Sequence, residues 1–164
     1  MSIVQIKELQ KKFDNHKVLD INNYTIDAGK GYVFYGYNGC GKTTLLRLIA
    51  GLEKPSSGIL DILVPKKERI MCFQTPYMFT GTVEKNLEYG LKLQKATPDR
   101  KRLQTLCKRY GIDNVLHKNA RVLSSGQKQA VALIRALLTN PKLLLLDEPV
   151  ANLDKNKHDA LNED

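Results

Sequence analysis

Two stretches of this sequence carry residues whose types and spacing can do chemistry. The first is Gly36-Tyr37-Asn38-Gly39-Cys40-Gly41-Lys42-Thr43. Its glycines let the backbone wrap closely around an anion with N–H groups pointing inward. A helix starting near Lys42 aims its positive dipole end at the same anion. Lys42 adds a point charge for the terminal phosphates of a nucleotide, and the Thr43 hydroxyl suits Mg²⁺. The spacing predicts a phosphate cradle built from Gly36, Asn38, Gly39, Cys40, Gly41, Lys42, Thr43 and Thr44. A chance glycine-rich turn is the plainer alternative. The apolar run before the loop and the amphipathic run after it argue against that alternative.

The second stretch is Leu143-Leu144-Leu145-Leu146-Asp147-Glu148. A buried strand does not tolerate internal charge, so the two acids mark its exposed C-terminal end. Asp147 is placed to orient Mg²⁺, and Glu148 is left to polarise an attacking water as general base. Taken alone, the run reads equally well as a buried strand ending in a helix-capping acid. Beside a phosphate loop that reading weakens.

These groups need elements to hold them. Ile3 to Leu9 and Lys17 to Ile26 read as strands. Tyr32-Val33-Phe34-Tyr35 is a short apolar run bounded by glycines and predicts a buried parallel strand entering the loop. A helix follows from about Lys42 to Ala50, stopped by Gly51. Ile59–Leu63 and Arg69–Phe73 are further strand candidates. From about Thr80 to Tyr110 the pattern is helical, with Thr82 capping one helix and Thr97-Pro98 starting another that ends at Gly111. Another helix runs from about Ser125 to Leu138. The alternation predicts an α/β fold with a mostly parallel sheet.

Composition narrows the function classes. The chain has 164 residues, 42% of them hydrophobic, and reads as one domain. No apolar run approaches the roughly 20 residues that span a bilayer. The start at Met1 shows no basic-then-apolar leader, so a cytoplasmic location is expected. Three cysteines, Cys40, Cys72 and Cys107, with no C-x-x-C pair, disfavour a disulfide framework or zinc site. The net charge is +9 and densest at Lys95–Arg109. No aromatic residues interleave there, so a nucleic-acid groove is not expected.

The sequence resembles the ABC ATPases. Leu123-Ser124-Ser125-Gly126-Gln127 is similar to that family's L-S-G-G-Q signature and stands between the two motifs above. Gln74 resembles the Q-loop glutamine, Ala151-Asn152-Leu153-Asp154 the D-loop, and Phe13 an aromatic that stacks on adenine. The resemblance implies a P-loop NTPase, RecA-like, with an N-terminal antiparallel β segment. The catalytic core would be residues 1–78 and 139–164, with a helical subdomain at 79–138. It implies ATP and Mg²⁺ as cofactors, with Thr43, Gln74 and Asp147 at the metal and Lys42, Gln74 and Glu148 catalytic. Two such domains would pack head to tail, with Ser124, Ser125, Gly126 and Gln127 of one facing the ATP of the other and Asp154 at the D-loop. Transmembrane permease subunits would be the other partners, placing the chain on the inner face of the membrane. Residues 74–79 and 83–87 resemble bacterial importers, with tungstate or molybdate as the suggested cargo. The rival class is a soluble ABC protein of translation or DNA repair. The short interval from Lys42 to Leu123 disfavours the coiled-coil branch of that class. An inactive nucleotide-binding fragment is a third reading.

The sequence departs from the family in two places. No histidine matches the family's later switch position, because His158 follows Glu148 too closely. The resemblance therefore implies that the last strands lie beyond Asp164, and that this segment alone is marginally stable and nearly inactive. Ser125 replaces the second signature glycine and adds a Cβ where backbone approaches phosphate. Ser125→Gly is expected to raise ATP-dependent dimerisation and turnover; sedimentation and phosphate release that do not change would remove this role from Ser125.

Overall fold

The computed structural model describes residues 1–148, which form two compact units. The first comprises residues 1–71 and 142–147, the second residues 72–141 and Glu148.

The first unit is built on a long hairpin. Strands β1 (Ser2–Phe13) and β2 (His16–Asp27) pair antiparallel, and β3 (Ser57–Ile62) pairs antiparallel with the other edge of β1. Alternation puts Val4 and Ile6 into the core, and then the phase changes so that Leu9 and Lys11 are buried instead. The cause is local. Glu8 has φ +48°, and the β1–β3 register shifts between Lys7 and Gln10. An extra residue in one strand resets which face looks inward. Gly58 makes this possible, since a Cβ there would lie 2.1 Å from the Glu8 carbonyl oxygen.

Helix α1 (Lys42–Ala50) packs its apolar face of Leu45, Leu46, Leu48 and Ile49 into the same core as Val4, Ile6, Leu9 and Leu145. Arg47 sits in its last turn, and Gly51 closes it at φ +74° with N–H bonds back into the helix. That is the expected left-handed stop. A parallel two-stranded sheet joins β4 (Arg69–Cys72) to β5 (Leu143–Leu146). The Lys142 N–H donates to the Glu68 carbonyl at 3.0 Å, and its ammonium pairs with the Glu68 carboxylate at 2.8 Å.

The expectation of a buried strand at Tyr32–Tyr35 is not met. The segment belongs to neither sheet. Tyr32 and Phe34 pack on the core, but Val33 is 83% and Tyr35 96% exposed. Alternation alone turns one face inward; burying the other face requires a second layer, and a ladder requires a neighbouring strand. Neither is supplied by the described residues.

The second unit is helical: α2 (Val83–Leu87), α3 (Tyr89–Leu93), α4 (Arg100–Arg109) and α5 (Ser125–Leu138). The first three pack on α5. Ala130 to Ile134 are all buried, so this stretch of α5 is apolar around its circumference, as a central helix must be. Thr82 caps α2 by accepting the Lys85 N–H. Helix α4 starts later than the Thr97-Pro98 expectation. Its cap is Asp99, whose carboxylate accepts the Arg102 N–H at 3.1 Å. An aspartate at the N-cap satisfies an otherwise unpaired donor, which Thr97 does not do here. None of the described helices is long and apolar enough to cross a membrane.

Asn86 is a buried polar residue, 1% exposed, with every side-chain bond used inward. Its Oδ1 accepts the Phe79 N–H at 2.8 Å, and its Nδ2 donates to the Phe79 and Thr82 carbonyls at 3.0 Å each. It fastens the loop after β4 to α2. Asn86→Ala leaves both Phe79 backbone groups without these partners, so a loss of about 3 kcal/mol is expected. An unfolding free energy, from denaturant titration, lowered by less than a third of that would show the loop is held by other contacts.

Candidate phosphate and metal site

The phosphate loop hangs between the extended Tyr32–Tyr35 segment and α1. Gly41 is the residue before α1 and has φ +95°. A Cβ there would meet Leu19 Cδ2 at 2.6 Å and the Val18 carbonyl at 3.0 Å, so glycine is needed for both the turn and the fit against β2. The helix therefore opens directly out of the loop, with Lys42, Thr43 and Thr44 in its first turn, where backbone N–H groups have no intrahelical acceptor. No acidic side chain occupies that turn. The end is free to favour an anion.

Lys42 folds back across the loop. Its ammonium donates to the Gly36 carbonyl at 2.8 Å and the Tyr37 carbonyl at 3.1 Å, and lies 3.9 Å from Cys40 Sγ. The Cys40 N–H donates to the Tyr37 carbonyl at 3.3 Å. The loop is thus a closed ring with the charge held at its rim. Asn38 and Gly39 form its exposed tip.

The structure brings Thr43 and Asp147 together. The Thr43 hydroxyl lies 2.8 Å and 3.0 Å from the two Asp147 carboxylate oxygens, across 104 positions of sequence. Asp147 is only 7% exposed, which corrects the expectation that both acids stand at an exposed strand end. The strand ends inside the fold, and the carboxylate is tolerated there because a hydroxyl donates to it. Hard oxygen donors of this kind suit Mg²⁺, which commonly takes one or two protein oxygens and completes its shell with phosphate and water. Among the described residues no group of three or more His, Cys, Asp or Glu forms a metal cage. The arrangement fits a metal carried with a phosphate ligand rather than one held by protein alone.

In the second unit the Gln74 amide donates to the Glu148 carboxylate. Glu148 has φ +48°, a left-handed conformation that is uncommon for a non-glycine residue. Ser124, Ser125, Gly126 and Gln127 form the start of α5, closed by a reciprocal cap. The Ser124 hydroxyl accepts the Gln127 N–H at 3.2 Å, and the Gln127 side-chain oxygen accepts the Ser124 N–H at 3.1 Å. The Ser124 hydroxyl acts as an acceptor in this cap, so its own O–H is not spent on it. Phe13 stands at the end of β1 and is 43% exposed, so it is not a core residue; the Lys11 ammonium lies 4.6 Å from its ring centre. Asp154 and His158 lie outside the described residues.

One positioning residue, Arg135, escaped the sequence reading. Arg135 lies over the Phe79 ring at 5.2 Å and donates to the Tyr77 carbonyl at 3.1 Å, and burial pushes its pKa down. Phe79 in turn stacks on Tyr89 with ring centres 3.8 Å apart. Together with Asn86 this cluster fixes the segment that follows Gln74. The one available signal was a lone arginine inside the apolar run Ala130–Leu138.

A glycine loop opening a helix, with its threonine bound to a carboxylate at the end of an apolar strand, defines a P-loop nucleotide-binding domain of α/β architecture. The family model described as ABC transporter matches residues 19–151, and the chain belongs to that family. It is 36% identical over 176 residues to an Fe(3+) ions import ATP-binding protein of Photorhabdus laumondii, covering 99% of this chain and 49% of the relative. It is 39% identical over 166 residues to a spermidine/putrescine import ATP-binding protein of Spiroplasma citri, covering 93% and 47% respectively. An sn-glycerol-3-phosphate import ATP-binding protein of Bartonella bacilliformis is 40% identical over 166 residues, covering 94% and 48%. The chain therefore spans about half the length of these curated relatives. Among solved structures, the cbiO1 subunit of the cbiONQ transporter complex from Clostridium perfringens superposes with a TM-score of 0.78 at 29% identity, covering 98% of this chain and 71% of that one. An ATP-binding subunit of another ABC transporter gives 0.88 at 25% identity, covering 98% and 72%.

The three thiols differ in setting. Cys40 is partly exposed in the loop, while Cys72 and Cys107 are buried. Burial pushes both buried thiols from the ordinary 9.0 up to about 11, and the Asp113 and Glu84 charges add to the effect at Cys107. Because the folded values lie above the unfolded one, folding stability is intact below pH 9 and falls as pH rises through the window between them. At pH 8 a maleimide is expected to label Cys40 alone, with Cys72 and Cys107 reacting only on unfolding or toward pH 11. Equal labelling of all three in the folded chain at pH 8 would contradict the burial described.

Proposed function

We propose that this chain binds and hydrolyses ATP with Mg²⁺ as the energy-coupling part of an importer. The observation that carries the reading is the Thr43–Asp147 hydrogen bond, which sets the hydroxyl of a phosphate loop against a strand-end carboxylate. In this reading Gly36, Asn38, Gly39, Cys40, Gly41 and Thr44 line the phosphates with backbone N–H groups. Lys42 exchanges its loop carbonyls for phosphate oxygens. Thr43 and Asp147 would hold the metal, whose charge would offset that of the phosphates. Glu148 takes the proton of the attacking water as general base, and Gln74, bonded to it here, aligns that carboxylate. Phe13 stacks on the adenine. The working form is a head-to-tail pair in which the Ser124 hydroxyl and the α5 N-terminus receive the phosphate bound by the partner copy.

The importer assignment rests on the relatives, whose names specify iron, polyamine and glycerol-phosphate import. None of the names given above specifies tungstate or molybdate, so that cargo gains no support. Permease subunits on the inner face of the membrane are the proposed partners of the second unit.

Retention of Mg-ATP and release of phosphate test the assignment directly. Lys42→Ala should abolish retention. Glu148→Gln should keep it while turnover drops by about 100-fold or more. Lys42→Ala protein that retains Mg-ATP as the parent does would end this reading.

A further inference from the structure

Helix α4 has the sequence Arg100-Lys101-Arg102-Leu103-Gln104-Thr105-Leu106-Cys107-Lys108-Arg109. Leu103, Leu106 and Cys107 face the interior, and five of the ten residues are cationic with no acid among them. An excess of this kind on one amphipathic helix is the electrostatic signature of an anionic partner. The phosphate site uses none of these charges.

Internal ion pairs account for only part of the excess. Arg100 is matched by Glu84 at 2.9 Å and Glu88 at 3.0 Å. Lys101 and Lys108 are exposed and make no ion pair among the described residues. Beside them α4 and the end of α5 flank an open groove of about 360 Å³, lined by Asp99, Lys101, Arg102, Thr105, Arg109 and Leu137 among others. That is within the range of small-ligand sites, about 300–1,000 Å³. The one acid in this wall is engaged, because Asp99 caps α4 through the Arg102 N–H. The Arg102 side chain is oriented by donating to the Leu137 carbonyl at 3.0 Å, which leaves its other N–H donors for a ligand. The Thr105 hydroxyl donates to the Lys101 carbonyl at 2.9 Å and keeps lone pairs. Guanidinium and ammonium groups around an apolar floor suit a phosphate-bearing anion with an attached carbon skeleton.

We propose that the α4 face and its open groove bind a phosphate-bearing anion, distinct from the nucleotide of the glycine loop. The phosphate can be the headgroup of an anionic lipid or a free phosphorylated molecule. The two sources are separable by experiment. Co-sedimentation of the full chain with phosphatidylglycerol-containing vesicles at 0.15 M salt is compared with pure phosphatidylcholine vesicles. Inorganic pyrophosphate is then added at matched ionic strength. Each cation near an anionic surface contributes about fivefold to partitioning, so Lys101→Gln with Lys108→Gln should weaken binding about 25-fold. Lys7→Gln with Lys12→Gln removes the same charge from exposed positions of β1 and should change it less than twofold. Circular dichroism and Mg-ATP retention confirm that both variants remain folded. Vesicle binding that pyrophosphate does not displace identifies headgroups. Pyrophosphate binding that is lost in the α4 variant, without preference for anionic vesicles, identifies a free phosphate. Unchanged binding of both probes in the α4 variant overturns the proposal. An equal loss in the β1 variant, or capture by RNA with neither probe bound, also overturns it.

Discussion

One hydrogen bond organises the first unit around its chemistry: the Thr43 hydroxyl to the Asp147 carboxylate. A buried carboxylate without a donor is expensive, and a bond to a charged group contributes about 1.5–3 kcal/mol. Here it ties the first turn of α1 to the end of β5. The elements that hold the two groups share a core, since Leu45, Leu46, Leu48 and Ile49 of α1 lie in the same cluster as Leu145 of β5. The apolar packing sets the distance, and the polar pair sits where that packing ends. A change of core volume beneath it would be felt as a change in oxygen–oxygen separation at the site.

The second unit solves a different problem. Its central helix is apolar on all sides over Ala130 to Ile134 and begins at a polar end. The reciprocal Ser124–Gln127 cap does this with two residues of the signature. The same hydroxyl that caps the helix as an acceptor retains its own O–H as a donor. Arg135 and Asn86 extend the arrangement to the loop after β4, one by stacking on Phe79 and the other by binding its backbone. Asn86 and Arg135 thus act on backbone and position segments.

The sequence made the loop, α1, α5 and the strand before Asp147 legible, because each combines a local stop or cap with a strong apolar pattern. Gly41, Gly51, Ser124 and the leucine run are short-range signals. Burial is not short-range. Asp147 reads as a surface acid until its partner 104 positions away is known. Tyr32–Tyr35 reads as a buried strand because aromatic and branched residues look alike whether one face or both are covered. The phase change at Glu8 was invisible for a similar reason, since it depends on Gly58 in another strand. Asp99 shows the limit at helix starts: Thr-Pro and Asp are both good beginnings, and hydrogen-bond geometry decides between them.

The closed phosphate loop has a consequence for selectivity. Because the Lys42 ammonium already holds two carbonyl oxygens, an incoming ligand replaces bonds rather than adding them. The count of donors and acceptors barely changes on exchange. Under the proposed function, what changes is the formal charge of the oxygen facing nitrogen, from a neutral amide to a polyanion. Discrimination at this loop is then a matter of ionic character, and neutral oxygen-rich molecules of similar shape have little advantage over the protein's own backbone.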